Sequence, residues 1–182
     1  MKNNQTGRSM VEMLGVLAII GVLSAGGLAG YSKAMFKHKL NSTMDQITML
    51  VTNIRTMYGT QGNYTGLSGT SAINLGIIPA VMGSTSAKLV NPFKGSVSIA
   101  TYNFKSVTDS GFKVTYRGLP KEACIALATA DFGSGAGSGF LGAAIAGTAA
   151  VTGPTTAEGK AYAMSTAIST CTENGTITWF FY

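Results

Sequence analysis

The chain has 182 residues, of which 46% are hydrophobic and only 11% are charged. This length allows one modest globular domain once a membrane-length segment is set aside. The formal net charge is +6, but no dense cluster of Lys and Arg accompanies it, so the charge does not indicate a nucleic-acid-binding or heparin-binding protein. Low charge with 24 glycines fits a surface buried against copies of itself, and equally a Gly-rich loop.

A single acidic residue stands at the start of a long apolar run near the N-terminus. Glu12 is followed by residues 13–31, none of which is charged. A helix of that length measures about 28 Å, close to the ~30 Å hydrocarbon core of a bilayer. A carboxylate beside such a run is costly and normally faces a partner. The pattern therefore predicts a membrane-compatible helix with Glu12 as a docking group at its N-terminal end.

The residues around Glu12 resemble the class III signal of type IV prepilins. In that family a short basic leader ends in Gly, a prepilin peptidase cuts after it, and the fifth residue of the mature chain is Glu. With Gly7 and Glu12 at those positions, the resemblance implies a leader over residues 1–7, cleavage between Gly7 and Arg8, and N-methylation of the Arg8 amine. It also implies that Glu12 draws an incoming subunit into register with the N-terminus of its neighbour. Arg8 departs from the usual hydrophobic first residue, and no Pro interrupts the apolar helix.

Two other interpretations of the N-terminus stay open. A cleaved secretory signal peptide also has a basic start and an apolar centre, although this run is longer and lacks the usual A-x-A site. An uncleaved membrane anchor is the second. The resemblance places the leader in the cytoplasm, whereas Lys33, Lys37 and Lys39 after the run outnumber Lys2 and Arg8 before it, so the positive-inside rule favours the reverse topology.

Glycines recur within the apolar run, and their role has two interpretations. Gly26 and Gly30 match a small-residue motif at which membrane helices pack closely. Alternatively, as the resemblance suggests, glycines let the middle of the helix unwind locally when the subunit leaves the membrane.

Beyond the run, apolar residues repeat every three or four positions, as on one face of a helix. They are Leu40, Met44, Ile47, Val51, Ile54 and Tyr58. Gly59 follows as a stop signal. We predict one helix from about Ser9 to Tyr58, with a membrane and assembly half over residues 8–31 and an amphipathic half over 32–58 whose stripe packs on a sheet.

Residues 59–182 predict a globular head. A Gly-, Ser-, Thr- and Asn-rich connection with one helical turn occupies 60–92, and alternating β-branched and aromatic residues at 97–104 and 112–117 predict a hairpin over 96–117. Short helices are predicted at 119–130 and 157–169, and a last strand at 175–182. The predicted class is α+β: a long N-terminal helix carrying an antiparallel sheet, which is the type IV pilin fold that the resemblance implies.

The chain contains two cysteines, Cys124 and Cys171. The resemblance places the head outside the cytoplasm, where thiols oxidise, so we predict that the two residues pair and bound a disulfide region over 124–171. Two unpaired buried thiols are the alternative.

No residue pattern predicts an enzyme. Residues 137–142 match G-x-G-x-x-G, but no buried strand precedes them as a dinucleotide site requires, so we predict a loop. His38 is the single histidine and lies among lysines, with no Cys, Asp or Glu at metal-ligand spacing. We therefore expect no catalytic residue, no metal and no cofactor.

The resemblance implies a structural subunit that polymerises into a type IV pilus for adhesion, motility or DNA transfer. Its partners would be identical subunits in a helical filament, the prepilin peptidase, the pilus assembly machinery, and a host surface or DNA. It would lie in the bacterial inner membrane before assembly and in an extracellular fibre afterwards. A pseudopilin of a type II secretion system and a single-pass anchored binding module remain alternatives, and subclass IVa or IVb stays open.

Overall fold

The computed structural model describes residues 8–83, 89–133, 139–146 and 161–182, and the predicted leader lies outside this part of the chain. The chain divides into two compact units, with the boundary between Lys39 and Leu40. In chain order the elements are α1 (Arg8–Tyr58), α2 (Gly69–Asn74), a 3-10 turn (Ala80–Met82), β1 (Val97–Phe104), β2 (Val107–Leu119), α3 (Lys121–Ala128), β3 (Phe140–Ala146), α4 (Met164–Thr170) and β4 (Gly175–Phe181).

Helix α1 has the extent that the sequence predicted. It begins at Arg8 and ends at Tyr58. Gly59 follows it as the sequence predicted, and the position favours glycine because a Cβ there would lie 2.8 Å from the carbonyl oxygen of Arg55. The hydrophobic periodicity and the stop signal were therefore sufficient to place this helix.

The sheet of the second unit has four antiparallel strands in the order β1-β2-β4-β3. The C-terminal strand β4 is thus central and pairs with β2 on one side and β3 on the other. Thr115 of β2 lies opposite Thr178 of β4, and their buried hydroxyl oxygens are 2.9 Å apart. This cross-strand pair satisfies two polar groups within the sheet.

The predicted hairpin is present, but its second strand is longer than expected. Strand β1 has the predicted bounds, whereas β2 starts at Val107 because the turn consists of only Lys105 and Ser106. Both turn residues have positive φ, 51° and 63°, as two-residue hairpin turns require. Gly111, which suggested a turn, lies within the strand, where a Cβ would contact the carbonyl oxygen of Phe181 at 2.5 Å.

The core lies between the second part of α1 and one face of the sheet. The predicted stripe is buried or half-buried there, and Leu50 joins it as a fully buried member. From the sheet, Tyr116 and Trp179 meet edge to face with ring centroids 5.4 Å apart. Burial raises the pKa of the Tyr116 hydroxyl well above its usual value, so the group stays neutral at physiological pH.

The disulfide prediction is confirmed. Cys124 of α3 is bonded to Cys171, which directly follows α4, and their Cα atoms are 5.8 Å apart. The bridge joins α3 to the end of α4, and β4 begins against it, since a Cβ at Gly175 would lie 3.3 Å from Cys124 Sγ.

Two local predictions were wrong. Helix α4 spans Met164–Thr170 rather than 157–169; residues 161–163 are not helical, and 157–160 lie outside the described residues. The loop predicted at 137–142 is, from Phe140 onward, the edge strand β3. Pairing with β4 decides this structure, and the small residues of β3 lie opposite bulky ones, as Ala143 does opposite Trp179.

We predict that Cys171→Ser destabilises the second unit and leaves the first part of α1 unchanged. The bridge joins two cysteines that are 47 residues apart in the sequence. In the chain-entropy model such a loop contributes about 4 kcal/mol, and native bridges in small exported domains typically contribute about 2–5 kcal/mol. Hydrogen exchange of the full chain in detergent should accelerate in α3, α4 and β4 but not in residues 13–31.

The matched control is the double variant Cys124→Ser with Cys171→Ser, which removes the remaining thiol and should behave like the single variant. Unchanged exchange in the second unit, or free thiols in unreduced peptide maps of the parent chain, would contradict the prediction.

Candidate assembly segment

The first unit presents apolar side chains on every side of a helix. Twelve large hydrophobic residues between Met10 and Tyr31 are each 52–75% exposed. The 18-residue window that qualifies α1 as long and apolar enough to cross a membrane is 0% buried. We call residues 10–31 the assembly segment. Apolar surface of this extent marks contact with lipid or with other protein, because water disfavours it.

Among the described residues, no close contact requires the glycines of the assembly segment. A Cβ added at Gly15, Gly21, Gly26, Gly27 or Gly30 would meet nothing within 4 Å beyond its own helix. Packing within the described chain therefore does not require these glycines. Gly26 and Gly30 are four residues apart and lie on one face, where the helix backbone is open to close approach by another helix.

Glu12 lies on α1 one helical turn from the residue at the predicted cleavage point. Arg8 is the first residue of α1, and Glu12 is four residues further and exposed. Residues four apart on a helix share a face, with Cβ atoms about 6 Å apart. The structure therefore places Glu12 and the main-chain nitrogen of residue 8 at the same end of the same helix.

The second unit holds a groove of about 360 Å³ between α1, β4 and residues 130–132. Arg55 lines it, donates from Nη2 to the carbonyl oxygen of Tyr182 at 3.4 Å, and lies 5.6 Å above the Phe181 ring. Burial raises the pKa of Tyr64, and the neighbouring Arg55 opposes that rise. Arg55 thus helps to hold the C-terminal strand.

The described residues of the motifs weighed for chemistry lie on a strand and on a helix. The residues after Gly139 form strand β3, whereas a dinucleotide fingerprint opens a helix. In the parts of the chain that the structure describes, no three His, Cys, Asp or Glu side chains cluster as metal ligands. His38 is exposed on α1.

Sequence reasoning missed an uncharged outer face on α1 in the second unit. Thr48, Thr52 and Thr56 are exposed, and each hydroxyl donates to the carbonyl oxygen four residues earlier at 2.8–2.9 Å. Met49 and Met57 are exposed beside them, 52% and 45% respectively. We call these five residues the threonine face. The signal was present as Thr at every fourth position, and with the hydroxyls bonded back to the helix the face offers mainly methyl and thioether groups.

Comparison with known proteins agrees with this architecture. The sequence model of the bundlin family matches residues 33–182, that is, most of the chain outside the assembly segment. The major structural subunit of the bundle-forming pilus from Escherichia coli O127:H6 is 31% identical over 136 residues, covering 74% of this chain and 69% of that protein. The toxin coregulated pilin of Vibrio cholerae serotype O1 is 26% identical over 133 residues, covering 70% and 58%.

A solved structure supports the fold independently. The type IV b pilin from Salmonella typhi superposes with a TM-score of 0.53 at 20% identity, covering 76% of this chain and 97% of that one. An all-antiparallel sheet with a central C-terminal strand, a bridge between Cys124 and Cys171, and a long N-terminal helix thus occur together with the family match. The chain belongs to the bundlin family of type IV pilins and is a structural pilin subunit.

Proposed function

We propose that the chain is made as a prepilin, is cut between Gly7 and Arg8 by a prepilin peptidase, and polymerises through α1 into an extracellular type IV pilus. The observation that carries the proposal is the assembly segment, whose large apolar side chains are all more than half exposed. The second unit, by contrast, closes its own core around Ile47, Leu50 and Ile54. A subunit with one finished core and one uncovered apolar helix is suited to burying that helix among copies of itself.

Glu12 would fix the register of each incoming subunit. Removal of the leader converts the nitrogen of Arg8 into a charged α-amino group at neutral pH. In a low-dielectric surrounding this cation attracts a carboxylate strongly, and each is costly when left unpaired. Pairing Glu12 of one subunit with the Arg8 amine of its neighbour would satisfy both groups and set the axial step. Methylation of that amine, which keeps its charge, is compatible with this pairing.

Before assembly the segment would lie in the bacterial inner membrane. The helix is long and apolar enough to cross a bilayer. The pilus assembly machinery would then draw the helix from lipid into the filament, where neighbouring helices replace the acyl chains. The threonine face suits the same filament, because its exposed methyl and thioether groups would be buried against another subunit at little desolvation cost.

This chain would function by forming a filament rather than by catalysing a reaction. Its relatives are described as pilus subunits, which supports a pilin over a pseudopilin of a type II secretion system or an anchored binding module. Catalytic activity has no support from the residues around the groove. Adhesion, motility or DNA transfer, with a host surface or DNA as the external partner, are the uses such a fibre would serve.

We predict that the mature chain begins at Arg8. Glycine at the cut leaves room for the peptidase to approach the backbone, so Gly7→Val should leave the leader attached and abolish fibres. Intact-mass measurement of surface-sheared protein checks this. The control is Gly15→Val, which changes a glycine beyond the cut and should permit cleavage. Surface fibres that retain residues 1–7 would contradict the prediction.

We also predict that Glu12→Ala permits cleavage and membrane insertion but lowers fibre yield at least tenfold. The loss follows because the Arg8 amine is buried without its counter-charge. Glu12→Gln keeps the shape without the charge and should be equally defective. Glu173→Ala removes an exposed acid from the second unit and is the control for net charge. Electron microscopy and immunoblotting of sheared fibres at matched subunit levels give the yield, and wild-type yield from Glu12→Gln would exclude a role for the charge.

A further inference from the structure

The first unit ends in a group of cations that the pilus proposal does not use. Lys33, Lys37 and Lys39 lie within eight residues after the assembly segment, and Tyr31 is the last residue of that segment. We call these four residues the basic collar. Lys33, Lys37 and Tyr31 are exposed, Tyr31 by 65%.

We infer that the basic collar binds the phosphates of anionic lipids at the head side of the membrane while the subunit awaits assembly. The inference rests on the proposed membrane stage and names its lipid partner. It concerns the bilayer surface, not the hydrocarbon core that the assembly segment fits.

The spacing of the collar matches the edge of a bilayer. Residues 13–32 carry no charge, and Lys33 is the first cation after them. Twenty helical residues rise about 30 Å, which equals the hydrocarbon thickness, so Lys33 stands at its boundary and Lys37 lies about 6 Å further out. Lysine reaches outward from such a position because its alkyl stem remains in the apolar layer while the ammonium contacts the headgroups.

Lys33 and Lys37 lie beyond pairing distance of the acidic residues of their own helix. Within α1 the acidic residues are Glu12 and Asp45, and Asp45 is eight residues beyond Lys37. Residues pair across a helix surface at three or four positions, so neither acid lies where it could neutralise Lys33 or Lys37 along α1. Two cations one turn apart on one face suit a surface of negative charge.

Tyr31 strengthens the assignment to a membrane surface. Its ring is exposed at the end of the apolar segment, directly before the lysines. Tyrosine is enriched at this level of a bilayer because the ring is apolar and the hydroxyl is polar. Juxtamembrane lysines attract anionic lipid within a Debye length of the surface. Lipid binding thus gives a function to the positive charges after the run. The positive-inside rule does not explain these charges.

The test uses the full chain reconstituted in phosphatidylcholine vesicles containing phosphatidylglycerol. Electron spin resonance with spin-labelled lipids measures which lipid occupies the protein boundary. The parent chain should prefer phosphatidylglycerol about three- to fivefold, and about 1 M NaCl should remove most of that preference. Lys33→Gln with Lys37→Gln should at least halve it. Lys94→Gln with Lys121→Gln, two exposed lysines of the second unit, is the matched control and should change nothing.

The outcomes separate the two proposals. Lys2 and Arg8 are present in all the chains, so the difference between variants reports the collar alone. A chain that inserts and resists carbonate extraction, but loses no lipid preference in the Lys33 and Lys37 variant, overturns the collar and leaves the membrane stage standing. A chain that carbonate extracts from the vesicles overturns the membrane stage and the collar together.

Discussion

The structure of this pilin depends on one constraint: a helix that is apolar all round in its first part must also complete the core of a folded unit in its second. The exposed residues Leu14, Leu17 and Ile20 belong to the same α1 as the buried residues Ile47 and Ile54. The hydrophobic effect acts on both parts, but among the described residues only the second part is covered by the chain itself. The second unit therefore folds, while the apolar surface of the first part of α1 stays uncovered among the described residues.

The described core of the second unit is made of that unit's own residues. Its central strand β4 follows β1, β2 and β3 in the chain, so the sheet is completed only when β4 pairs with β2 and β3. The Cys124–Cys171 bridge fixes α3 and α4 beside the start of β4, and Arg55 of α1 holds the end of the same strand. In the proposed pathway such a unit would move from membrane to filament without changing its own contacts, while the assembly segment exchanges lipid for protein.

The family and the N-terminal chemistry rest on different parts of the chain. The bundlin match begins at residue 33, whereas Gly7, Arg8 and Glu12 precede it. Two independent regions thus lead to one protein class. The threonine face lies within the matched region, and the exposure of its side chains is known only from the structure.

The sequence predicted those features that repeat or that depend on a single chemical requirement. The stripe from Leu40 to Tyr58 specified α1, and alternation specified β1 and β4. Strand β3 was missed because its Gly and Ala residues have little intrinsic strand preference, and pairing with β4 decides its structure. The early start of β2 was missed because Lys105 and Ser106 adopt a left-handed turn that glycine and asparagine usually form.

Helical reconstruction of sheared fibres by cryo-electron microscopy tests the central claim most directly, because it locates the assembly segment relative to other copies. The account predicts that residues 10–31 form a bundle along the fibre axis and that their large apolar side chains, now more than half exposed, contact neighbouring helices. Fibres in which this segment faces solvent, or that assemble unchanged from chains lacking it, would contradict the account.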